Sequence, residues 1–216
     1  MLSQYFAHDL EHQLNKIKEH GFCVMDNFTS QATVLALANE VSALNINAHM
    51  HEAGTGQMQI MINKKLRGDS IYWLNEANSS AAQQTYFDQM ELLRLALNQH
   101  LYLGLFGLES HLALYKIGAC YGKHLDRFQR TNINSSDQVI RQMSCVLYLN
   151  QDWHESDGGH LRLYLNPSSE TTDAPHLDIA PLGGRLILFL SDIFYHEVLP
   201  ANKARMSLTG WFLTRQ

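Results

Sequence analysis

The chain has 216 residues, of which 45% are hydrophobic and 17% are charged, as in an ordinary soluble globular protein. Its formal net charge of −5 and its pI near 6.1 argue against general binding to nucleic acid or to an anionic membrane. No apolar run is as long as a membrane span, and residues 1–11 lack the basic and apolar regions of a secretory signal.

The cysteines indicate a reducing compartment. Cys23, Cys120 and Cys145 are odd in number, and the sequence contains no Cys-x-x-Cys motif, which argues against a disulfide framework and against a structural zinc site. Reduced thiols are typical of the cytoplasm. We therefore expect a cytoplasmic protein.

The first half of the chain is predicted to be mainly helical. Apolar residues at helical spacing predict three helices, over 8–20, from the N-cap Ser30 to about Leu44, and over 79–102. Residues 22–28 are predicted to form a short strand. Residues 45–68 are polar and contain glycines, so we expect a mobile loop there.

The second half of the chain is predicted to consist of strands. Short runs rich in Leu, Ile, Val and Tyr, separated by turn residues, predict strands over 112–117, 142–149, 160–165, 176–179, 185–190, 195–199 and 206–213. Helices followed by strands indicate an α+β, mainly β fold, with a jelly-roll core (a double-stranded β-helix) over 111–216 and packed helices within 1–110. No repeat or linker divides the chain, so 1–216 is expected to form a single domain.

A metal site is predicted from one closely spaced pair and one distant residue. His124 and Asp126 are two residues apart, a spacing that puts both side chains on one side of a strand. A second imidazole from another strand, for which His196 is the candidate, would complete a face of two histidines and one carboxylate. This ligand set leaves positions open and suits a non-haem Fe(II) in an oxygen-using enzyme.

Arg205 adds a second element to this prediction. It follows His196 at a distance that would place it on the next strand of a hairpin. Its planar guanidinium can bind a carboxylate through two parallel hydrogen bonds. An open iron site beside such a clamp is what a 2-oxoglutarate-dependent oxygenase needs. A zinc hydrolase also uses two histidines and a carboxylate, but it does not explain Arg205.

The remaining candidate histidines lack comparable partners in the sequence. We assign to surface or loop positions the residues His49, His51, His154, His160 and His176.

Several segments resemble one enzyme family. The segments CVLYLNQDW (145–153), GGHLR (158–162), FLSD (189–192) and HEVLP (196–200) resemble the prolyl hydroxylase branch of the 2-oxoglutarate oxygenases. Within this branch, the chain is most similar to the hypoxia-inducible-factor type prolyl hydroxylases and their bacterial relatives. The segment LRGDSIYW at 66–73 is similar to an Arg-Gly-Asp…Trp segment of the same branch. The resemblance covers residues 21–213.

The resemblance implies roles for individual residues. The iron ligands would be His124, Asp126 and His196, and Arg205 would pair with the C5 carboxylate of 2-oxoglutarate. The other cosubstrate-pocket residues that it implies are Tyr148, Tyr115, Thr209, Trp211 and Leu161. From the residues alone, Tyr148 and Trp211 would be assigned to the core. The implied cofactors are Fe(II), 2-oxoglutarate and O2, with ascorbate as a further candidate.

The resemblance also implies a substrate entrance. Arg67, Asp69 and Trp73 would shape it, and the loop over 45–66 would close over the substrate. From the residues alone, the Arg-Gly-Asp segment could equally be a solvated turn. Residues 127–141 differ in length from the animal enzymes and are expected to border the substrate groove.

The expected function follows from this resemblance. It implies a prolyl 4-hydroxylase acting on a proline-containing protein or peptide, such as the translation factor elongation factor Tu, without a nucleic-acid or membrane partner. Two alternatives stay open. One is hydroxylation of a small molecule or a free amino acid, and the other is a non-catalytic binding or sensor protein with the same fold.

Overall fold

The structure of the chain, a computed structural model, describes residues 4–54, 67–126, 139–166 and 174–215, with only the backbone for residues 4–9. The α-helices in these ranges are α1 (Gln4–His20), α2 (Gln31–Ile46) and α3 (Ala81–Leu101), with short 3₁₀-helices over Glu76–Asn78 and Glu155–Asp157. The strands are β1 (Phe22–Met25), β2 (His51–Glu52), β3 (Asp69–Trp73), β4 (Gly107–Tyr115), β5 (Tyr121–His124), β6 (Val139–Tyr148), β7 (Leu161–Tyr164), β8 (His176–Ile179), β9 (Leu186–Leu190), β10 (His196–Val198) and β11 (Arg205–Arg215). None of the helices in the described ranges combines the length and the apolar character that a membrane span requires.

The strands form two antiparallel sheets. The larger sheet has the order β1-β9-β6-β11-β4-β3-β2, and the smaller sheet has the order β5-β10-β7-β8. From β4 onwards the chain passes back and forth between the two sheets, with β7 and β8 together in the smaller one, as in a jelly roll. The predicted mainly β fold with a double-stranded β-helix core is confirmed.

The alternation of side chains along the strands divides the core into two layers. In β6, Cys145 and Leu147 face the helices, whereas Val146 and Tyr148 face the smaller sheet. The outer layer packs the large sheet against the three helices, and the inner layer fills the space between the two sheets. The inner layer is where side chains of both sheets can meet, so it is the place for a shared site.

The ends of the helices have local causes. The Ser30 side chain accepts a hydrogen bond from the Thr33 backbone N–H at 3.1 Å, which confirms the predicted N-cap of α2. Ser80 caps α3 in the same way, at 3.1 Å from the backbone N–H of Gln83. The helix α3 ends at Leu101, and its C-cap residue, Tyr102, has a φ of 54° in the left-handed region.

Several predicted boundaries were wrong. The strand β1 ends at Met25 because the chain turns at Asn27, whose φ is 53°. The strand β4 begins at Gly107, earlier than predicted, since its first residues pair with the far end of β11. The helix α1 begins at Gln4 rather than at residue 8.

Two strands were missed, and two predictions cannot be compared in full. The strand β3 pairs with β4, and β2 pairs with β3, and a local sequence pattern does not reveal either pairing. The first half of the chain therefore contributes strands to the larger sheet as well as helices. Residues 55–66 of the predicted loop and residues 127–138 of the predicted groove border lie outside the described residues. The single-domain organisation over 1–216 stays a prediction.

The close pairing of β11 with β4 predicts a position that tolerates only glycine. A Cβ at Gly210 would overlap Ser110 Oγ and lie 2.9 Å from the Glu109 carbonyl oxygen. We expect Gly210→Ala to lower the free energy of unfolding by about 1–3 kcal/mol through overpacking. Urea denaturation measures this change.

Gly107→Ala is the matched control, because its Cβ would find its nearest neighbour, Leu213 Cδ1, at 3.9 Å. We expect it to change the free energy of unfolding by no more than about 0.5 kcal/mol. Equal stability of the two variants would contradict the proposed tight packing at Gly210.

Candidate metal centre and adjoining pocket

His124 and His196 lie directly opposite each other in the smaller sheet. The strand β5 ends at His124, and its antiparallel partner β10 begins at His196. The centroids of the two imidazole rings are 4.2 Å apart. Cross-strand pairing therefore brings the two rings together.

Asp126 reaches the same point from a bend. The prediction that His124 and Asp126 share one strand was wrong, because β5 ends at His124 and Asp126 lies beyond it. Asp126 Oδ1 is 3.5 Å from His124 Nε2, and Asp126 Oδ2 is 3.5 Å from His196 Nε2. One carboxylate thus faces both imidazoles.

A backbone carbonyl selects the tautomer of each imidazole. His124 Nδ1 is 2.8 Å from the Gly122 carbonyl oxygen, and His196 Nδ1 is 3.1 Å from that of Phe194. A carbonyl oxygen only accepts hydrogen bonds, so Nδ1 carries the proton of each neutral ring and Nε2 carries the lone pair. Two lone pairs and a carboxylate then point at one another. This arrangement is favourable only with a cation between them.

The buried Asp126 carboxylate is held in its ionised form. Burial opposes ionisation, but at the low pH where Asp126 titrates, attraction to the protonated forms of His196 and His124, together with the hydrogen bond from Ser144, holds the pKa of Asp126 well below its ordinary value. Ser144 Oγ donates to Asp126 Oδ2 at 2.7 Å, and Ser191 Oγ lies 2.8 Å from Ser144 Oγ. Because Ser144 gives its one proton to the carboxylate, Ser191 donates to Ser144. Burial and repulsion from His124 lower the pKa of His196 to about 4, so its ring is neutral near pH 7.

The three side chains fit the predicted iron. One ligand atom from each of His124, Asp126 and His196 lies within 4.8 Å of the other two. Two imidazole nitrogens and one carboxylate oxygen on one face suit a non-haem Fe(II) with positions left for other ligands. The residues present could therefore hold this metal.

A chain of contacts from Asp69 supports the ligand His124. Arg67 binds the buried Asp69 carboxylate through two hydrogen bonds of 2.8 and 3.1 Å. The Arg67 Cζ lies 4.6 Å from the centroid of the Tyr121 ring, which stacks on the His124 imidazole at 3.6 Å. Burial alone would lower the pKa of Arg67, but its bond to Asp69 raises it. The Arg-Gly-Asp segment is therefore part of the pocket wall rather than a solvated turn.

Arg205 approaches the metal ligands from the other sheet. The prediction that it shares a hairpin with His196 was wrong, because β10 lies in the smaller sheet and β11 in the larger. The connection between them crosses from one sheet to the other. Arg205 is 1% exposed, and its Nε donates to the Gly159 carbonyl oxygen at 2.9 Å. Among the described residues, no carboxylate pairs with its guanidinium.

Two buried tyrosines flank this guanidinium. Arg205 Cζ is 5.1 Å from the ring centroid of Tyr115 and 5.1 Å from that of Tyr148. Burial raises the pKa of both hydroxyls against the opposing charge of Arg205, so both stay protonated. The Tyr148 hydroxyl is buried and has no hydrogen-bond partner in the described ranges. A guanidinium beside an unpartnered hydroxyl matches one carboxylate of a diacid such as 2-oxoglutarate.

One pocket of about 590 Å³ joins Arg205 to the metal ligands. It is lined by Arg67, Asp69, His111, Tyr115, Tyr121, His124, Asp126, Arg141, Val146, Leu161, His196, Val198, Arg205, Ser207, Thr209 and Trp211. Ten of the twelve predicted site residues are in this list. The other two are close by, since Tyr148 lies behind Arg205 and Trp73 packs against the rings of His111 and Trp211. The roles of the individual residues stay predictions.

The strand register gives the pocket two ends. Tyr115 lies opposite Arg205 and Asp69, whereas His111 lies opposite Thr209 and Trp73. Four residues of strand, at roughly 3.4 Å each, separate these two rows by about 14 Å along β4. We call the surroundings of Arg205, Tyr115 and Tyr148 the arginine end of the pocket. The tryptophan end is formed by Trp73, His111 and Trp211.

The sequence prediction missed several pocket residues and misplaced one histidine. The missed residues are His111, Tyr121, Arg141, Val146, Val198 and Ser207. Every second side chain of a strand lies on the same face, so counting back in twos from Tyr115 would have identified His111. The predicted strand, however, began one residue after His111. His160, assigned to the surface, is 9% exposed and lies 3.0 Å from a Glu155 carboxylate oxygen. The other four histidines assigned to the surface are exposed.

Known proteins share both the sequence and the fold. A family model described as the 2OG-Fe(II) oxygenase superfamily matches residues 110–213. A crystal structure of a Pseudomonas putida prolyl-4-hydroxylase is 38% identical, with a TM-score of 0.80, over 94% of this chain and 98% of that one. The prolyl hydroxylase of Trichoplax adhaerens, in complex with a hypoxia inducible factor peptide fragment, has a TM-score of 0.78. It is 24% identical and covers 97% of this chain and 93% of that one, so it shows the fold.

The chain is also similar in sequence to a curated human protein. Human Egl nine homolog 1 is 28% identical over 214 residues, which cover 94% of this chain. The same match covers 46% of the human protein, so the chain spans about half the length of this relative.

The hydroxyl behind Asp126 gives a prediction for metal affinity. Ser144→Ala removes the hydrogen bond that orients the carboxylate. We expect the dissociation constant for Mn(II), used as a stand-in for Fe(II), to rise about 10–100-fold. Electron paramagnetic resonance of free Mn(II) in a titration measures this change without any turnover.

Two further serine variants serve as controls. Ser191→Ala keeps the bond between Ser144 and Asp126, so its effect on Mn(II) affinity should be smaller. Ser42→Ala removes a hydroxyl that bonds only the Ala38 carbonyl oxygen within α2, and its affinity should match the wild type. Unchanged affinity in Ser144→Ala would exclude a role for Ser144 in metal binding.

Proposed function

Because the chain belongs to the 2OG-Fe(II) oxygenase superfamily, we propose that it is an Fe(II)- and 2-oxoglutarate-dependent prolyl 4-hydroxylase acting on a protein. One observation carries this proposal. The buried Arg205 guanidinium, without a carboxylate partner in the described ranges, shares a pocket with three converging metal donors. Bound Fe(II), 2-oxoglutarate and O2 would supply the oxidation, in which one oxygen atom enters the substrate and the other enters succinate, with loss of CO2.

The residues of the arginine end would bind and orient the cosubstrate. In this proposal, the Arg205 guanidinium donates two parallel hydrogen bonds to the C5 carboxylate of 2-oxoglutarate. The Tyr148 hydroxyl donates a further hydrogen bond to the same carboxylate. Tyr115 and Leu161 form the wall beside it, whereas Thr209 lies farther along β11, opposite His111. The mechanism of a zinc hydrolase with the same metal ligands does not require the buried Arg205 guanidinium. A non-catalytic protein would not require this guanidinium either.

The apolar wall between the two ends would keep water away from the reacting atoms. Val146, Leu161 and Val198 line the pocket next to the metal ligands, and all three are buried. Exclusion of water strengthens the electrostatic interactions inside and limits side reactions of a strong oxidant. His124, Asp126 and His196 would hold the metal beside this apolar wall.

The tryptophan end would receive the substrate proline. Trp73 is 49% exposed, which makes it accessible from solvent, while Trp211 is buried in the same wall. Aromatic faces of this kind pack well against a pyrrolidine ring. Arg67 and Asp69 would shape the entrance beside them. A peptide is favoured over a free amino acid because this end is open at the rim.

The identity of the protein substrate is a finer part of the proposal. Elongation factor Tu is the first candidate to test, because the resemblance to bacterial prolyl hydroxylases pointed to a translation factor. A cytoplasmic location would agree with a translation factor as substrate. The three free cysteines support this proposed location.

The cosubstrate role of Arg205 predicts the effect of a conservative change. Arg205→Lys keeps the charge but loses the planar fork, so we expect the half-saturating concentration of 2-oxoglutarate to rise about 10–100-fold. Succinate release measured against 2-oxoglutarate concentration gives this value.

Arg162→Lys is the matched control. Arg162 also forms a two-bond pair, with Asp178, but on the outer face of the smaller sheet. Its requirement for 2-oxoglutarate should stay within about twofold of the wild type. An unchanged requirement in Arg205→Lys would remove Arg205 from the cosubstrate site.

The proposed reaction predicts a specific change in mass. Lysate proteins treated with the enzyme, Fe(II) and 2-oxoglutarate should gain one oxygen atom on a prolyl residue, and elongation factor Tu is the first protein to inspect. Peptide mass spectrometry locates the added oxygen. The Asp126→Ala variant should give no such product, since it lacks a metal ligand.

A different pattern would count against the proposal. If succinate forms but the oxygen is added only to small molecules, the enzyme hydroxylates free metabolites rather than proteins. If neither product forms with a fully metal-loaded protein, the fold serves a binding function instead.

A further inference from the structure

His111 lies at the centre of the tryptophan end. It is 2% exposed and sits on β4, opposite Thr209 of β11 and Trp73 of β3. Its ring centroid is 4.9 Å from that of Trp73 and 5.4 Å from that of Trp211. Although buried in this way, it lines the pocket. An imidazole held between two indoles in a pocket wall is well placed to contact a ligand.

Two polar atoms in this wall have no partner. His111 Nδ1 and Trp211 Nε1 are both buried, and neither makes a hydrogen bond within the described residues. Leaving a buried polar atom unpaired is unfavourable, and native structures contain few of them. Two such atoms on adjacent side chains of one pocket wall indicate a bound group that satisfies both.

The cosubstrate is too short to be that group. The row of His111 lies about 14 Å along β4 from the row of Tyr115 and Arg205, at roughly 3.4 Å per residue. A five-carbon diacid anchored on Arg205 spans about half of that length. The partner of His111 and Trp211 must therefore be part of the substrate.

The local charges favour a neutral group over an ion. Burial lowers the pKa of His111 to about 3, with smaller and partly opposing contributions from Asp69 and Arg67, so the imidazole is neutral near pH 7. The Arg141 guanidinium stacks 3.5 Å from the Trp211 ring centroid, and its Nε binds a Glu109 carboxylate oxygen at 2.5 Å. The one cation beside the two indoles in the described pocket wall is thus already neutralised. A free carboxylate or ammonium would find no counter-charge there.

The hydrogen-bonding chemistry then selects an amide. An indole N–H only donates, and a neutral imidazole presents one nitrogen that donates and one that accepts. In an extended chain, each residue presents its backbone N–H and its backbone carbonyl oxygen to the same side. Its carbonyl can accept from Trp211 while its N–H donates to His111.

We propose that His111 and Trp211 form a subsite for a backbone amide of the substrate chain, next to the target proline. The inference rests on the proposed prolyl hydroxylase function and adds a specificity-determining residue to it. It distinguishes peptides from free proline, which has no amide to present. His111 acts on substrate binding and leaves the metal and the cosubstrate unaffected.

The test combines enzyme variants with modified peptides. The probe is a pool of synthetic peptides with a central proline and randomised neighbours, assayed for a one-oxygen gain by mass spectrometry. The best peptide is then remade with an N-methyl group on each backbone amide in turn. Wild type is compared with His111→Leu, which removes the hydrogen bond, and with His111→Gln, which retains polar atoms. His176→Leu, an exposed histidine on β8, is the control for loss of a histidine.

The expected results separate substrate binding from the other steps. The KM of His111→Leu for the peptide should rise about tenfold, and His111→Gln should recover part of it. N-methylation at one position should impair the wild type but have little further effect on His111→Leu, as expected for two partners of one hydrogen bond. The requirement for 2-oxoglutarate in substrate-free succinate release and the Mn(II) affinity should stay within about twofold.

Three outcomes would overturn the inference. An unchanged peptide KM in His111→Leu would exclude a contact with substrate. A parallel rise in the 2-oxoglutarate requirement would place His111 on the cosubstrate instead. Additive effects of N-methylation and His111→Leu at every position would exclude the amide. If the wild type hydroxylates free proline but no peptide, the proposed protein substrate itself is wrong. The wild type alone shows this outcome, which separates it from a failure of the His111 subsite.

Discussion

The ionised Asp126 carboxylate, buried between two sheets, is the constraint on which the pocket depends. A buried carboxylate loses several kcal/mol of hydration even after relaxation, so it must find compensation nearby. The larger sheet supplies one hydrogen bond, from the Ser144 hydroxyl. Both imidazoles are fixed by backbone carbonyls in the tautomer that points a lone pair inward, and so they add no positive charge of their own. The compensation that this geometry leaves to be supplied is a metal cation.

Arg205 is a second buried charge in the same pocket, and it does not neutralise the first. Its Nε is held by the Gly159 carbonyl oxygen, and its guanidinium lies between Tyr115 and Tyr148, while Asp126 is held by Ser144 on another strand. These fixed positions keep the two opposite charges from forming a direct ion pair. A cation beside Asp126 and a dianion reaching Arg205 would satisfy both charges together. The pocket is thus organised for a metal and a diacid bound side by side.

The sequence predicted the chemistry of the site better than its geometry. Residue types and the family resemblance were enough to select His124, Asp126, His196 and Arg205, all of which line one pocket. The reasons given for their convergence were partly wrong. Asp126 lies beyond its strand, and Arg205 lies in a different sheet from His196. Which strands pair depends on contacts between residues far apart in the chain, so a local pattern cannot specify it.

The same limit explains the pocket residues that were missed. His111 precedes the predicted strand by one residue, and its strand extends further because the distant β11 is long enough to pair with it. Arg141 was considered only as part of a variable loop, yet it stacks on Trp211 from β6. Both positions gain their place from the register between strands. A prediction that starts from β11 and counts alternate residues on its neighbours would have recovered His111.

The strand register also relates the metal ligands to the two ends of the pocket. Asp69, Tyr115 and Arg205 share one row of the larger sheet, and a change there would disturb buried charges. Trp73, His111 and Thr209 share a row about 14 Å away along the strand, at roughly 3.4 Å per residue. Ser144, which donates to the metal ligand Asp126, lies opposite Trp211 on β11, so the register places the metal ligands near the tryptophan end. A diacid held by Arg205 would therefore reach along the strands toward the metal, and a group bound at the tryptophan end would lie beside it.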